Sequence, residues 1–176
     1  MDHTPFHMEL ARAAFSAFKA GSAPLASVYE AICKDITTHV GATRASVWRM
    51  DTTGLRSSIT SVCLHDTRDG SFSSGVTLTE EAFPEYFEAI TSDLRIVAPD
   101  AITHPATSCF DEVYFTPLDI RSLLDFVVLD KGQPVAVLCC EHCAEQKQWT
   151  QQDLDYLQAI ATVVGFTMKA SAKVAA

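Results

Sequence analysis

The run Cys139–Cys140–Glu141–His142–Cys143 is the densest set of metal-binding side chains in the sequence, and thiolates with imidazole suit zinc. Its spacing argues against an ion. The run reads as a strand, and neighbouring strand residues point to opposite faces, so Cys139 and Cys140 cannot share one ion. Only Cys140 and His142 fall on one side, with Cys143 at the strand end as a third donor, and no CxxC knuckle is present. Small, soft core filling is the expectation, and no metal is assigned.

A second constellation lies between Phe83 and Phe115. It holds Phe83, Tyr86, Phe87, Phe110, Tyr114 and Phe115, with Asp100, His104 and Thr107 among them and Arg121 and Ser122 just beyond. Aromatic walls with a few polar groups are what a concave small-molecule site requires. The competing reading is that the rings only fill space. His104 can donate to or accept from a ligand, or cap a turn beside Pro105. Arg121 and Asp125 share one side of their strand, as an anion-orienting pair or as a salt bridge at the sheet rim. The residues expected to contact a ligand are Phe87, Asp100, His104, Phe110, Tyr114, Arg121 and Ser122, with Phe126 and Cys139 on the pocket floor. Serine triads, paired catalytic carboxylates, P-loops and dinucleotide fingerprints are absent, so no catalytic residue is assigned.

The chain that must position these groups has 176 residues, 48% of them apolar and 20% charged, enough for one domain with a proper core. A net charge of −9, spread along the chain, argues against nucleic acid as a partner. No secretory signal is visible and no apolar run approaches the ~20 residues that span a bilayer. A cytoplasmic protein is expected, and its six cysteines are expected to be thiols.

Hydrophobic spacing predicts helices over His7–Lys19 and Pro24–His39, the first with Leu10, Ala13, Ala14, Ala17 and Phe18, the second with Leu25, Val28, Ile32 and Ile36. Arg44–Met50 and Leu55–Leu64 read as a hairpin across Asp51–Gly54. His65–Ser74 reads as loop, Pro84–Ile90 as helix, Arg95–Ala98 as strand and Pro99–Ser108 as irregular. Cys109–Phe115 reads as one or two helical turns ended by Pro117. Ile120–Leu129 and Pro134–His142 form two apolar strands around an Asp130–Gln133 turn, and neither has a clean polar face, which places both in the centre of a covered sheet. Thr150 and Asp153 predict a capping box, followed by a helix with Leu154, Leu157, Ala161, Val164 and Met168 on one stripe to about Ala170. The fold class is α+β, an antiparallel sheet with helices on its faces.

In this order the chain resembles a GAF domain, a small-molecule sensing module. The likeness rests on ASVWRM (45–50), FPEYFEAI (83–90), VAPD (97–100), His104–Pro105, YFTPLDIRSLLD (114–125), VAVLCCEH (135–142) and Trp149–Thr150, and spans roughly Pro24 to Met168. The resemblance implies a central six-stranded antiparallel sheet, with terminal helices on one face and a lid of short helices and loops over a ligand pocket on the other. Residues 23–170 would be the domain, 1–22 a helix available for dimerisation and 171–176 a frayed tail. It further implies a sensor relaying an unidentified ligand through its lid or dimer helices, with a homodimer and an output kinase, cyclase or regulator in trans as partners. The alternative is an interaction and dimerisation module without ligand. Two further relatives bear on Cys109. Bilin-binding GAF domains carry a chromophore cysteine in a similar stretch, but with a histidine after it where Phe110 stands here. The free methionine sulfoxide reductases would use Cys109 as nucleophile with Cys63 or Cys139 resolving, but their glycine-rich lid motifs are missing. No cofactor is assigned.

Overall fold

The computed structural model describes residues 8–174. Its elements are α1 (Glu9–Lys19), α2 (Leu25–Val40), β1 (Arg44–Asp51), β2 (Ser58–Asp66), β3 (Ser71–Ser73), β4 (Thr77–Thr79), α3 (Pro84–Asp93), β5 (Arg95–Ala98), a single-turn α4 (Thr116–Leu118), β6 (Ile120–Asp130), β7 (Gln133–Cys143) and α5 (Gln151–Val174). A 3₁₀ turn (Ser108–Phe110) and a π turn (Asp111–Phe115) precede α4. The sheet runs β3-β2-β1-β7-β6-β5, antiparallel throughout, and the short β4 pairs with β2 as a seventh strand. This is the α+β architecture expected, with one strand beyond the six.

The central hairpin follows its sequence closely. β6 and β7 meet at Lys131 and Gly132, both with positive φ (50° and 79°), as a two-residue turn matched to strand twist requires. Gly132 takes that conformation without steric cost. Because strand side chains alternate, β6 and β7 feed two separate cores. Leu124, Val128, Ala136, Leu138 and Cys140 face α2 and α5; Leu123, Val127, Val137 and Cys139 face α3 and the short turns.

On the helix side, α2 buries Val28, Tyr29, Ile32, Cys33, Ile36 and Val40, and Gly41 ends it at φ 66°. α5 starts at the expected capping box: Thr150 N–H donates to Asp153 Oδ2 (2.8 Å) and Asp153 N–H to Thr150 Oγ1 (3.2 Å). Its buried face carries Leu157, Ile160, Val164 and Thr167, and the helix runs on to Val174, past the expected end at Ala170. α1 has no side-chain cap of its own, and Asp35 of α2 supplies one, accepting from Ala11 N–H at 2.8 Å.

Several expectations need correction. Leu10 is 51% exposed, because α1 packs through Ala11, Ala14, Phe15 and Phe18 instead. Leu55 is fully exposed and β2 begins only at Ser58; the turn is held by Asp51 Oδ1, which accepts from the N–H and hydroxyl of Thr53. The expected loop 65–74 contains the end of β2 and β3. Pro117 does not stop its helix. It sits in the first turn of α4, where no N–H is needed, and the chain leaves helical geometry at Asp119 (φ 57°). Residues 1–7 and 175–176, including the expected helix start at His7, lie outside the described residues.

Candidate ligand-binding site

The lid-side residues of the central strands are set by register. Leu123 lies opposite Glu141, Asp125 opposite Cys139 and Val127 opposite Val137; Cys139 in turn pairs with Ser46 of β1, and Glu141 with Arg44. This surface, with Trp48 and Ile59, floors a cavity of about 200 Å³. Val76, Leu78, Phe83 and Tyr86 close it on one side, and Phe110, Val113, Tyr114 and Phe115 roof it. The roof is an aromatic chain: Phe83 packs against Phe110 at 4.6 Å between centroids with the rings tilted by 38°, Phe110 meets Tyr86 edge-on at 5.2 Å, and Phe115 lies 5.8 Å from Phe110. Its backbone is the 3₁₀ and π turns, irregular helix of the kind that often marks functional sites.

The charged residues lining this cavity are both acids, Asp125 and Glu141. Asp125 is 1% exposed. Tyr86 donates its hydroxyl to Asp125 Oδ2 at 2.7 Å. The Cys139 thiol packs beside the same carboxyl and helps to hold its charge. Its geometry does not make a hydrogen bond, and Asp125 Oδ1 has no partner among the described residues. Burial dominates and raises the Asp125 pKa to about 7, against the smaller opposing effects of Tyr86 and Cys139. Glu141 is also raised by burial, yet it has a partner: Arg44 Nη1 donates to its Oε2 at 2.8 Å, and the nearby Tyr114 hydroxyl helps to hold its charge. Arg44 donates to the Tyr114 hydroxyl as well (3.0 Å), and its Nε lies 3.1 Å from Asp66 Oδ2, near enough for an ion pair but misaligned for a hydrogen bond. Asp66 is clamped by Arg68, which also donates to the Leu118 carbonyl of α4. The Arg44 charge is thus matched by two carboxylates, Glu141 and Asp66, and Arg44 is not among the residues that line the cavity.

Of the residues expected to contact a ligand, Phe110, Tyr114 and Cys139 line the cavity. Phe87 lies behind the wall, fully buried against Tyr86 at 5.5 Å. Asp100 and His104 sit together in a turn away from it: His104 N–H donates to the Asp100 carbonyl, and His104 Nδ1 accepts from Ala106 N–H at 3.2 Å, the turn-capping arrangement. Arg121 does not pair with Asp125. A register shift between Ile120 and Ser122 takes it out of the strand alternation, and it bonds Asp119 at the surface (2.6 Å). Ser122 is a structural clasp, donating to the Pro99 carbonyl and accepting from Lys147 N–H. Phe126, one step out of phase with Asp125, packs on the helix side.

The cysteines divide by face. Cys63 lies in the helix-side core near Cys33, across the sheet from Cys109 and Cys139, so it cannot resolve an intermediate on Cys109. Burial and the Glu85 charge push the Cys109 thiol up, opposite to what a reactive thiolate needs. Among the described residues no cluster of His, Cys, Asp or Glu could hold a metal ion, and no helix is long and apolar enough to cross a membrane. The cavity-lining residues outside the expected ligand set include Trp48, Glu141 and Asp125, the last read from the sequence only as a partner of Arg121. The signal for the acids was available: each interrupts an apolar strand at the alternation that faces the lid.

A model of the GAF domain family matches residues 24–168. No curated protein matches the chain significantly. Among solved structures, a phycoerythrobilin-bound GAF domain from a cyanobacterial phytochrome aligns over 96% of this chain and 98% of its own, with a TM-score of 0.71 and 15% identity. The GAF domain of an Acinetobacter phosphoenolpyruvate-protein phosphotransferase aligns over 96% of both chains (TM-score 0.67, 11% identity). The chromophore-binding domain of a Stigmatella aurantiaca bacteriophytochrome aligns over 96% of this chain, which spans 62% of that one (TM-score 0.64, 12% identity). At these identities the likeness is one of fold.

Proposed function

The chain belongs to the GAF domain family, whose members are sensory and signalling modules, and on that premise we propose that it senses a small molecule held between sheet and lid. The observation that carries this reading is the cavity itself: about 200 Å³, walled by aromatic rings and floored by buried acids. Of the two acids, Asp125 is buried with no cation beside it, an arrangement that costs several kcal/mol and that a core built only for packing would avoid. The volume sets the ligand class. Drug-sized sites run to ~300–1,000 Å³, and an apolar cavity of ~150 Å³ holds benzene, so a single ring or short chain fits. A tetrapyrrole does not, and the lid would have to open widely to admit one.

Binding closes the aromatic roof, and the Arg68–Leu118 contact links that roof to the Arg44 cluster on β1, β2 and β7. The signal then leaves through the terminal helices. α1 and α5 present Leu10 (51% exposed) and Phe166 (55% exposed), which would pair with a second copy of the chain and hand the change to a kinase, cyclase or regulator in trans. This outlet is also what favours the second reading, a dimerisation module in which the rings are only core.

The test is an NMR titration of the full chain with indole and toluene, repeated with Leu123→Phe, which fills the floor. Saturable shifts at Phe110, Val113 and Tyr114 that Leu123→Phe abolishes are expected. Shifts confined to α1 and α5, or none that saturate, would leave the dimerisation reading in possession.

A further inference from the structure

We propose that the ligand is a small organic amine, an apolar body of about one ring whose nitrogen donates to the Asp125 carboxyl. The inference rests on the cavity being a binding site and names what enters it. Three observations carry it. Asp125 lines the cavity, is 1% exposed, and leaves Oδ1 without a partner, an arrangement that is costly when the site is empty and is relieved by a donor. The charged residues of the lining are the acids Asp125 and Glu141, and the nearby guanidinium, Arg44, stands outside the lining with its charge matched by Glu141 and Asp66. Finally, Trp48, Phe83, Phe110 and Tyr114 line the same space, and aromatic π faces attract a cation rather than an anion.

The other titratable groups beside Asp125 are Tyr86 from α3 and Cys139 and Glu141 from β7, with Cys109 of the lid near Tyr86. None of them is basic. An ammonium placed on Asp125 therefore has no competing cation, and the carboxyl, held near neutrality by burial, ionises as the amine binds. The bond formed is charge-assisted, and the proton that Asp125 gives up leaves to solvent or to the amine.

The experiment measures the affinities of toluene, benzylamine and benzoate for the full chain by calorimetry, in the wild type, in Asp125→Asn and in Tyr86→Phe. Benzylamine should bind at least about tenfold more tightly than toluene, with benzoate weakest. Asp125→Asn should abolish the preference; Tyr86→Phe, which keeps the carboxyl, should retain it. Toluene and benzylamine binding alike in the wild type would overturn the amine assignment and leave the cavity reading standing, as would an amine preference that survives in folded Asp125→Asn. Failure of all three probes to bind would overturn the cavity as a site, and this inference with it. Should Asp125→Asn not fold, the ranking of the three probes on the wild type and Tyr86→Phe still decides the matter.

Discussion

The two faces of the sheet are built from the same strands, residue by alternate residue, and they differ in kind. The helix side is a continuous aliphatic core. Its buried carboxylates, Asp35 and Asp153, have structural tasks, capping α1 and α5. The lid side is aromatic, roofed by 3₁₀ and π turns, contains a cavity, and buries two carboxylic acids on neighbouring strands, Asp125 and Glu141. One of these is neutralised by Arg44, the other is not. One face is therefore built for stability, while the other gives up stability to keep polar groups available inside an apolar space. Local violations of good packing of this sort collect at functional sites.

The contrast can be broken at its strongest point by Arg44→Ala. That change leaves Glu141 buried without a cation, while Asp66 keeps Arg68, and the loss should be about 5 kcal/mol, read by urea denaturation. Replacing Arg44 and Glu141 together by Met and Leu should recover most of it, because no unpaired charge remains.

Next in size is the pH dependence that Asp125 confers. Its pKa in the fold, about 7, lies above its ordinary value of 3.8, so the protonated form favours folding. That stabilisation is complete below about pH 4 and is lost as pH rises through about 7. The stability difference between Asp125→Asn and wild type should shift in favour of the variant by about 4 kcal/mol between those limits. A flat difference across this range would mean that Asp125 is not held protonated.

Truncations should then separate core from cavity lining. Ile160→Ala, fully buried among the helices, should cost about 3 kcal/mol. Val113→Ala, 70% exposed at the cavity roof, should change stability by under about 0.5 kcal/mol while weakening probe binding. On the helix side, Asp35→Ala should cost about 1 kcal/mol and speed hydrogen exchange in the first turn of α1 without touching the cavity.

How far the sequence could be read follows from the range of the interactions involved. The capping box of α5, the turn at Lys131–Gly132 and the strand at Arg95–Ala98 depend on neighbours within a few residues, and each was legible. β3 and β4 were not, because three-residue strands carry no periodicity and exist only through pairing with β2. The site was legible in part. Phe110 and Tyr114 were found from the density of rings in the lid, and Cys139 from its place on the central strand. Arg121 and Phe126 were misplaced for one reason: a register shift at the start of β6 and a single step of alternation decide which face a side chain meets.

The sequence by itself determined the α+β class, the order of the longer elements, the family and the aromatic character of the lid, all of which are encoded in local pattern. Only the tertiary structure decided that Asp125 and Glu141 face one cavity, that Arg44 neutralises the second and not the first, and that Asp100 and His104 turn away. Those outcomes depend on which strand lies beside which and in what register, and they join residues as far apart as Arg44 and Glu141. No local spacing along the chain carries that information.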